Sequence, residues 1–475
     1  MALRTRTFFS VTTLAAICAG PTFLVACGSK TEDQPPAAER IAGQSEFVSA
    51  PPGGSSGGRG YGGTEGAGAG DSAAPSAPGG GSKVAPEARK VEETDLYRLE
   101  GDRLYYLNGY RGLMVFDVTD VTKPKLLGRS PIYGQPVEMI VRTGVAHVVV
   151  ADWYGAMDDG SPFHGSIVRS LDARDPANIK VLGEAKLGGW VRDTRVVGDV
   201  IYAVSEDYGW YYGWDYGYGA GDSVAYPGGY SGNKVQISAV SFGGGVTKQT
   251  GKLEVPGYGG VFYVNANSIM FGHDEVKDPT AKYSEPTGRT ELQYVDISDP
   301  TGIIKPRGRL TVNGRVQGWG ADNGRWNIDF GDERYAHTIG CGNTWCGGSG
   351  STFVLATADF TNPDAPKLAS ELPISGTAWT PTARFVEGRM YLSPSAGYYY
   401  YEGGSTKTPI QIFDTSNPLA PKLAGQTDIT GSVWLFMPSG NKLFALGNDY
   451  APSGPYYDSS KVSLRYLDVT DAAKP

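Results

Sequence analysis

The residues best suited to chemistry in this 475-residue chain are few and scattered. There are four histidines, His147, His164, His273 and His337, and no His-Glu-Xaa-Xaa-His pair that would put two imidazoles on one helical face. Gly-Xaa-Ser-Xaa-Gly occurs only in the overlapping matches Gly53 to Gly57 and Gly54 to Gly58, inside a Gly/Ser tract where no strand-to-helix elbow can raise a nucleophile. Cys341 and Cys346 are close in sequence, with His337 nearby. Without a fourth ligand alongside, the pair reads as a disulfide pinning a loop rather than a metal site. Asp152, Asp158, Asp159, Asp215 and Asp222 offer carboxylates to calcium, but in no recognised ligand spacing. No catalytic residue and no cofactor other than calcium is expected.

Aromatic residues are the stronger signal. Tyr208, Trp210, Tyr211, Tyr212, Trp214, Tyr216 and Tyr218 crowd one Gly-rich stretch, and Tyr398, Tyr399, Tyr400, Tyr456 and Tyr457 recur further on. Tyr and Trp give wide amphipathic contact at low entropic cost, which suits stacking on a glycan or a protein interface. The competing reading packs these loops on one another. With Arg192 as a polar neighbour, the expected role is a non-catalytic binding or scaffold module for an envelope or extracellular protein or glycan. The alternative is a calcium-assisted or carboxylate-based polysaccharide hydrolase or lyase, using the loop carboxylates with Arg192 or His273. Trp190, Trp319, Trp379 and Trp434 recur near the starts of candidate inner strands, where packing between repeats is the expected role, and Arg192 and Arg384 are the polar candidates for the axis.

The N-terminus sets the compartment. Arg4 and Arg6 precede an apolar run from Phe8 to Phe23 that is too short and interrupted to anchor stably, and Leu24-Val25-Ala26-Cys27 closes it. This resembles the bacterial lipoprotein lipobox, which implies a signal peptide over residues 1–26 and lipid on Cys27. By the same resemblance Gly28, not Asp, after the cysteine implies the outer membrane or cell surface. Residues 27–90 are a Gly/Ser/Pro/Ala tether, and about 60 flexible residues reach roughly 40 to 45 Å root-mean-square. Losing Arg4 and Arg6 takes the formal charge from −8 to −10, with no basic tract for nucleic acid or anionic lipid. Membrane contact is expected through the lipid alone.

What must position the aromatic loops is a repeat over residues 91–475. An apolar strand runs into an Asp-centred turn at Asp117, Asp172, Asp296, Asp359, Asp414 and Asp468, with a degenerate copy at Ser241. Successive anchors are 55, 69, 55, 63, 55 and 54 residues apart, a period for one repeat architecture. The turn Asp bonds its own backbone two residues on. Lys125, Lys367 and Lys422, each after a proline, open a further strand whose charge guards an outer edge. Helix signals are absent, so each unit reads as four short strands and the fold as an all-β propeller of about seven blades, the last incomplete. The pattern resembles the bacterial and archaeal surface repeat named for Leu-Val-Ile-Val-Asp, matched by Leu113 to Asp117. It also resembles secreted propellers distantly related to WD repeats, matched by Thr94 to Leu107 and Arg192 to Val204. Both imply a fold and no catalytic residues.

In that register the insertions at about 152–165, 206–234, 273–290, 331–351, 395–408 and 448–461 join the second and third strands and leave one face. The outer strand of the seventh blade is not in the chain up to Pro475. Either the chain is a fragment, or residues around Lys83 to Lys90 supply that strand.

Overall fold

A computed structural model describes residues 89–475 apart from 93–94, 157–159, 208–233, 246, 282–283, 317–320, 343–350, 377–380, 387, 395–406 and 451–459. After a two-residue strand, β1 (Val91–Glu92), the strands fall into seven sheets. Blade 1 is β2 (Tyr97–Glu100), β3 (Arg103–Asn108), β4 (Gly112–Asp117) and β5 (Lys125–Ser130). Blade 2 is β6 (Gln135–Arg142), β7 (Val145–Ala156), β8 (Pro162–Asp172) and β9 (Lys180–Leu187). Blade 3 is β10 (Trp190–Val197), β11 (Val200–Asp207), β12 (Lys234–Ser241) and β13 (Lys248–Pro256), with β1 added beside β10. Blade 4 is β14 (Val261–Val264), β15 (Ser268–Val276), β16 (Pro286–Asp296) and β17 (Lys305–Asn313). Blade 5 is β18 (Ile328–Asp329), β19 (Tyr335–Cys341), β20 (Ser351–Asp359) and β21 (Lys367–Gly376). Blade 6 is β22 (Thr382–Val386), β23 (Arg389–Ser393), β24 (Lys407–Asp414) and β25 (Lys422–Thr430). Blade 7 has three strands, β26 (Ser432–Ser439), β27 (Lys442–Tyr450) and β28 (Ser460–Asp468). Every pairing is antiparallel and each blade meanders in sequence order, so the fold is a β-propeller.

The third-to-fourth strand turn explains the repeat. Asp117 Oδ1 accepts from the Thr119 amide at 2.9 Å and the Thr119 hydroxyl at 2.7 Å. Ser298 on Asp296, Thr361 on Asp359, Ser416 on Asp414 and Thr470 on Asp468 repeat the amide bond. The carboxylates are thus spent on their own turns, and these bonds hold Asp117, Asp359, Asp414 and Asp468 below the usual carboxylate range. Each turn ends with a lysine opposite the aspartate: Asp117 with Lys125, Asp172 with Lys180, Asp296 with Lys305, Asp359 with Lys367 and Asp414 with Lys422. Close to the aspartate each of these ladders carries a bulge, as between Val115 and Phe116 or between Ile412 and Phe413.

Three residues after the lysine comes a second repeated element that the composition had concealed. Gly128, Gly183, Gly251, Gly308 and Gly425 occupy this position, with Ser370 in blade 5. Each lies against the turn of the following blade. A Cβ on Gly308 would meet the Pro363 carbonyl at 2.4 Å, and one on Gly425 the Ala472 carbonyl at 1.9 Å. The Gly308 amide donates to the Pro363 oxygen at 2.8 Å, and the Ser370 hydroxyl donates to the Pro418 oxygen at 2.7 Å. The outer strand of one blade is therefore clamped onto the Asp turn of the next, closely enough at Gly128, Gly251, Gly308 and Gly425 to leave no room for a Cβ.

Apolar packing follows the same order. Among the described residues six buried clusters each join two consecutive blades, from Leu113 and Val115 against Met139 and Val148 to Ile410 and Ile412 against Phe436 and Leu443. Burying one such side chain contributes roughly 1.5–3 kcal/mol.

Of the segment around Lys83 to Lys90, residues 83–88 lie outside the described residues, and residues 89–92 do not extend blade 7. Val91 pairs with Val197 and Glu92 with Val196, on the inner strand of blade 3, and Arg89 donates to the Ile297 carbonyl at 2.6 Å beside the blade 4 turn. Arg103 and Arg389 make the same bond onto Ala173/Arg174 and Val469 from the second strands of their own blades. Blade 3 has Val200 at that position, so Arg89 fills it from outside. Glu92 then pairs with Arg142 at 2.6 Å and Asp95 bridges Met139, lacing blades 4, 3, 2 and 1 at their turn end.

Gly308→Val should lower stability by about 1–3 kcal/mol by overpacking the blade 4–5 clamp. Ser370→Gly, which removes one hydrogen bond and a hydroxymethyl group from the clamp and adds no bulk, should cost no more than ~1.5 kcal/mol. Urea midpoints of the two variants check the order.

Candidate functional site at the loop end and axis

All six lengthened connections join the second and third strands of blades 2 to 7 and leave the end opposite the Asp turns. Blade 1 makes this connection with a tight turn, where Asn108 Oδ1 accepts from the Tyr110 and Arg111 amides at 2.9 and 3.1 Å. Three segments are shorter than expected, because strands extend into them: 157–161 rather than 152–165 in blade 2, 277–285 rather than 273–290 in blade 4, and 342–350 rather than 331–351 in blade 5. Residues 335–341 form β19, so His337 and Cys341 are strand residues about 13 Å apart along the chain, too far to share a metal.

Tyr208, Trp210, Tyr211, Tyr212, Trp214, Tyr216, Tyr218, Tyr398, Tyr399, Tyr400, Tyr456 and Tyr457 lie outside the described residues, as do Cys346, Trp319, Trp379, Asp158, Asp159, Asp215 and Asp222. The base of the blade 2 connection is described and is packed. Trp153 is buried, with Phe163 6.2 Å from it and the Arg169 guanidinium 5.1 Å over its ring. Asp152, a calcium candidate, instead meets His164 Nε2 at 2.7 Å.

Arg192 is engaged within its own blade. Its guanidinium meets Glu206 Oε2 at 3.2 Å, and Glu206 Oε1 accepts from the Gly260 amide at 3.1 Å, so the pair ties blade 3 to the chain entering blade 4. Trp190 opens β10 half-buried, and Trp434 on β26 is substantially exposed, so Trp434 is not a packing residue between blades.

At the axis Arg384, a candidate from the sequence, meets residues that patterning did not single out. Where blade 5 should begin its inner strand, residues 321–326 form a 3-10 turn touching β10, β14, β18 and β22, the inner strands of blades 3 to 6. Its Trp326 receives the Arg325 guanidinium at 4.4 Å and that of Arg384 at 3.6 Å. Arg325 lies 3.9 Å from Asp193, which accepts from Arg195 at 2.6 Å, and the Thr194 hydroxyl bonds Glu138 of blade 2. Guanidinium and carboxylate alternate across the axis, so charge is compensated locally and the cluster fastens four blades together. Asp329 at the foot of this turn is pushed up to about 6 by burial. The signal in the sequence is Asn323-Gly324-Arg325-Trp326, a turn where alternation should start.

Beside this end, a cleft of about 490 Å³ opens between blades 4 and 5. Thr287, Arg289, Asn313, Thr352 and Glu371 line it with hydrogen-bonding groups, and Glu371 accepts from the Asn313 amide and side chain at 3.0 and 2.7 Å.

Two histidines are structural. His147 bonds Ser170 at 2.6 Å and tilts against Phe242, and His337 bonds Thr357 at 3.0 Å and stacks on Phe385. Burial pushes both down to about 4. His273 lies 3.4 Å from Glu291, and its neighbour Asp274 is held by Arg315, with burial pushing the Asp274 carboxyl up.

Residues 87–318 match the model of a family described as Beta propeller domain. No curated protein matches. Similar solved structures include a functionally unknown protein from Desulfotomaculum acetoxidans, at 13% identity, 79% of this chain, 98% of that chain and a TM-score of 0.37. Another is an acylaminoacyl peptidase in complex with Z-Gly-Gly-Phe-chloromethyl ketone, at 10% identity, 81% of this chain and a TM-score of 0.33. This chain spans 52% of that peptidase chain.

The shifted groups give opposed pH effects. His147 and His337 stay neutral in the fold while the unfolded chain takes up protons below about 6.5, so stability falls as pH drops from 6.5 to 4. Asp329, raised, contributes stability below about 4 that is lost as pH rises through 6. His337→Gln should therefore shrink the loss of urea midpoint between pH 7 and pH 5. Asp329→Asn should raise the midpoint at pH 7 and leave it unchanged at pH 4.

Proposed function

We propose that the protein is an envelope-anchored, non-catalytic binding module that presents its second-to-third strand connections to a protein or glycan partner. The observation that carries this reading is an asymmetry between the two ends of the blades. The Asp turns and the entering segment 89–92 occupy one end, and all six lengthened connections leave the other. A tether attached before residue 89 then meets the turn end and leaves the loop end facing outward. Tyr208, Trp210, Tyr211, Tyr212, Trp214, Tyr216 and Tyr218, with Tyr398, Tyr399, Tyr400, Tyr456 and Tyr457, belong to three of those connections. Stacking on a sugar ring or filling an interface hot spot is the chemistry these side chains bring.

Anchoring rests on Cys27, whose thiol takes the lipid in this reading, and Cys341 closes on Cys346 to pin the blade 5 connection. Buried Cys341 ends β19 directly before that connection, which fits such a pin. Mass mapping of protein extracted from membranes should find a lipid-modified N-terminal Cys27 peptide and a Cys341–Cys346 bond lost on reduction. An unmodified Cys27, or free thiols at both other positions, contradicts the corresponding half of the proposal.

Replacing Tyr208 to Tyr218 by a short Gly-Ser turn should lower retention on envelope polysaccharide and protein arrays at least tenfold, with an unchanged urea midpoint. Equal retention by the two proteins contradicts the aromatic-loop reading. Turnover of a polysaccharide by the wild-type chain contradicts a non-catalytic role.

A further inference from the structure

The cleft between blades 4 and 5 lies where two positions that blade 2 fills with large side chains are small in blade 5. Four residues after its lysine, each outer strand sets a residue directly opposite the third strand: Glu184 opposite Arg169 in blade 2, Arg309 opposite Gln293 in blade 4 and Gln426 opposite Gln411 in blade 6. In blade 5 the pair is Glu371 and Ala356. Four residues earlier on the third strand, Trp153 faces Gly165 in blade 2, whereas in blade 5 Gly342 donates to the Thr352 carbonyl at 2.6 Å. Blade 2 therefore fills this space with the Trp153 indole and the Arg169 guanidinium over it, and Arg169 donates to Glu184 at 2.9 Å. Blade 5 keeps the glutamate and has glycine and alanine at the other two positions.

The glutamate is held instead from blade 4. Asn313 gives its amide and its side chain to the two Glu371 oxygens, and it stands opposite Arg289 across β16 and β17. Thr287, two residues before Arg289, donates to Glu275 at 2.6 Å, and the one ion pair of Arg289 among the described residues is with the same Glu275 at 3.7 Å. The Gly314 amide donates to the Gly288 carbonyl at 3.1 Å, which fixes that edge of the cleft. Val354 and Pro373 add an apolar wall. The volume of about 490 Å³ falls in the range of roughly 300–1,000 Å³ usual for small-ligand sites.

We propose that this cleft is a subsite for one pyranose residue of a glycan. Hydroxyls of the ring donate to the lone pairs that Asn313 leaves on Glu371 and accept from the Arg289 guanidinium, while a C–H face of the ring lies on Val354 and Pro373. Both polar edges then make charge-assisted hydrogen bonds. Because Asn313 already orients Glu371, binding costs little in ordering it. An apolar side chain of a protein partner would desolvate Glu371, Arg289 and Thr352 without replacing their bonds to water, which disfavours it. The subsite rests on the proposed function in one respect, the outward-facing loop end, and does not require the aromatic stretches.

Tetrasaccharides of glucose, of N-acetylglucosamine and of galacturonate are titrated into the full chain by calorimetry, with the site located by amide hydrogen exchange. Saturable binding of at least one of them, with slowed exchange at residues 287–289, 313–314, 352–354 and 371–372, supports the proposal. Thr352→Trp, which places an indole in the mouth of the cleft at an exposed position, should weaken that binding about tenfold or more with an unchanged urea midpoint. Glu371→Gln should weaken it about three- to tenfold, the scale of one hydrogen bond to a charged group. Saturable binding of none of the three, protection confined to other residues, or equal affinity of the wild type and Thr352→Trp overturns it. Binding that survives replacement of Tyr208 to Tyr218 but not Thr352→Trp supports the cleft and counts against the aromatic loops. The reverse pattern overturns the subsite and leaves the binding module standing.

Discussion

A carbonyl in one blade pressed against a glycine in the blade before it sets the geometry from which the repeat follows. At Gly308 and Pro363, or Gly425 and Ala472, two backbones meet at a distance that excludes a Cβ. Contact of that kind tolerates little displacement, so the turn presenting the carbonyl has to be rigid. Aspartate supplies the rigidity by accepting from the backbone two residues on. The lysine that closes the turn fixes the ladder opposite the aspartate, and the neighbouring bulge re-aims the outer strand. Asp, Lys and Gly are thus three parts of one joint between blades, and the apolar clusters fill in behind it.

Inside, the joint has no counterpart, and blades are fastened by charge. Arg325, Arg384, Arg195, Asp193 and Glu138 meet around a 3-10 turn that reaches the inner strands of four blades. Breaking one member of such a network leaves its partner uncompensated in a partly buried place, which costs more than the intact pair contributes. Asp329, pushed up to about 6, shows the cost of placing one more carboxylate there. That arrangement holds subunits of the repeat in position and leaves Arg192 tied to Glu206.

Much of the scaffold was legible in the sequence because its determinants are local. Alternation in Arg192 to Val204, the Asp-anchored turns and the lysines after them each act within a few residues, and the strands lie where those signals put them. The glycine clamp was not legible, since an isolated glycine in a strand carries no mark of the carbonyl it will meet about fifty residues later. The path of Arg89 to Glu92 was not legible for a related reason: a short strand has no register of its own, and its pairing with Val196 and Val197 is long-range. The axial turn was missed because the repeat frame predicted a strand there, and Trp326 falls where blade 5 breaks the frame. The aromatic stretches were visible as composition, which states chemistry and not placement.

The two ends of the blades differ in what an insertion would disturb. At the turn end the turn after the third strand of blades 2 to 7 is also a contact with the preceding blade, so added residues there would open a joint as well as lengthen a loop. Among the described residues no such repeated contact holds the connections between second and third strands, and lengthening a connection without one costs little more than loop-closure entropy, about 0.6 kcal/mol for each doubling. Variation can therefore accumulate at that end without loss of the fold. The blade 2 connection indicates how such a loop is kept in place: Trp153, buried under Arg169 and beside Phe163, fixes its base. A rigid joint at one end is what makes chemical freedom at the other possible.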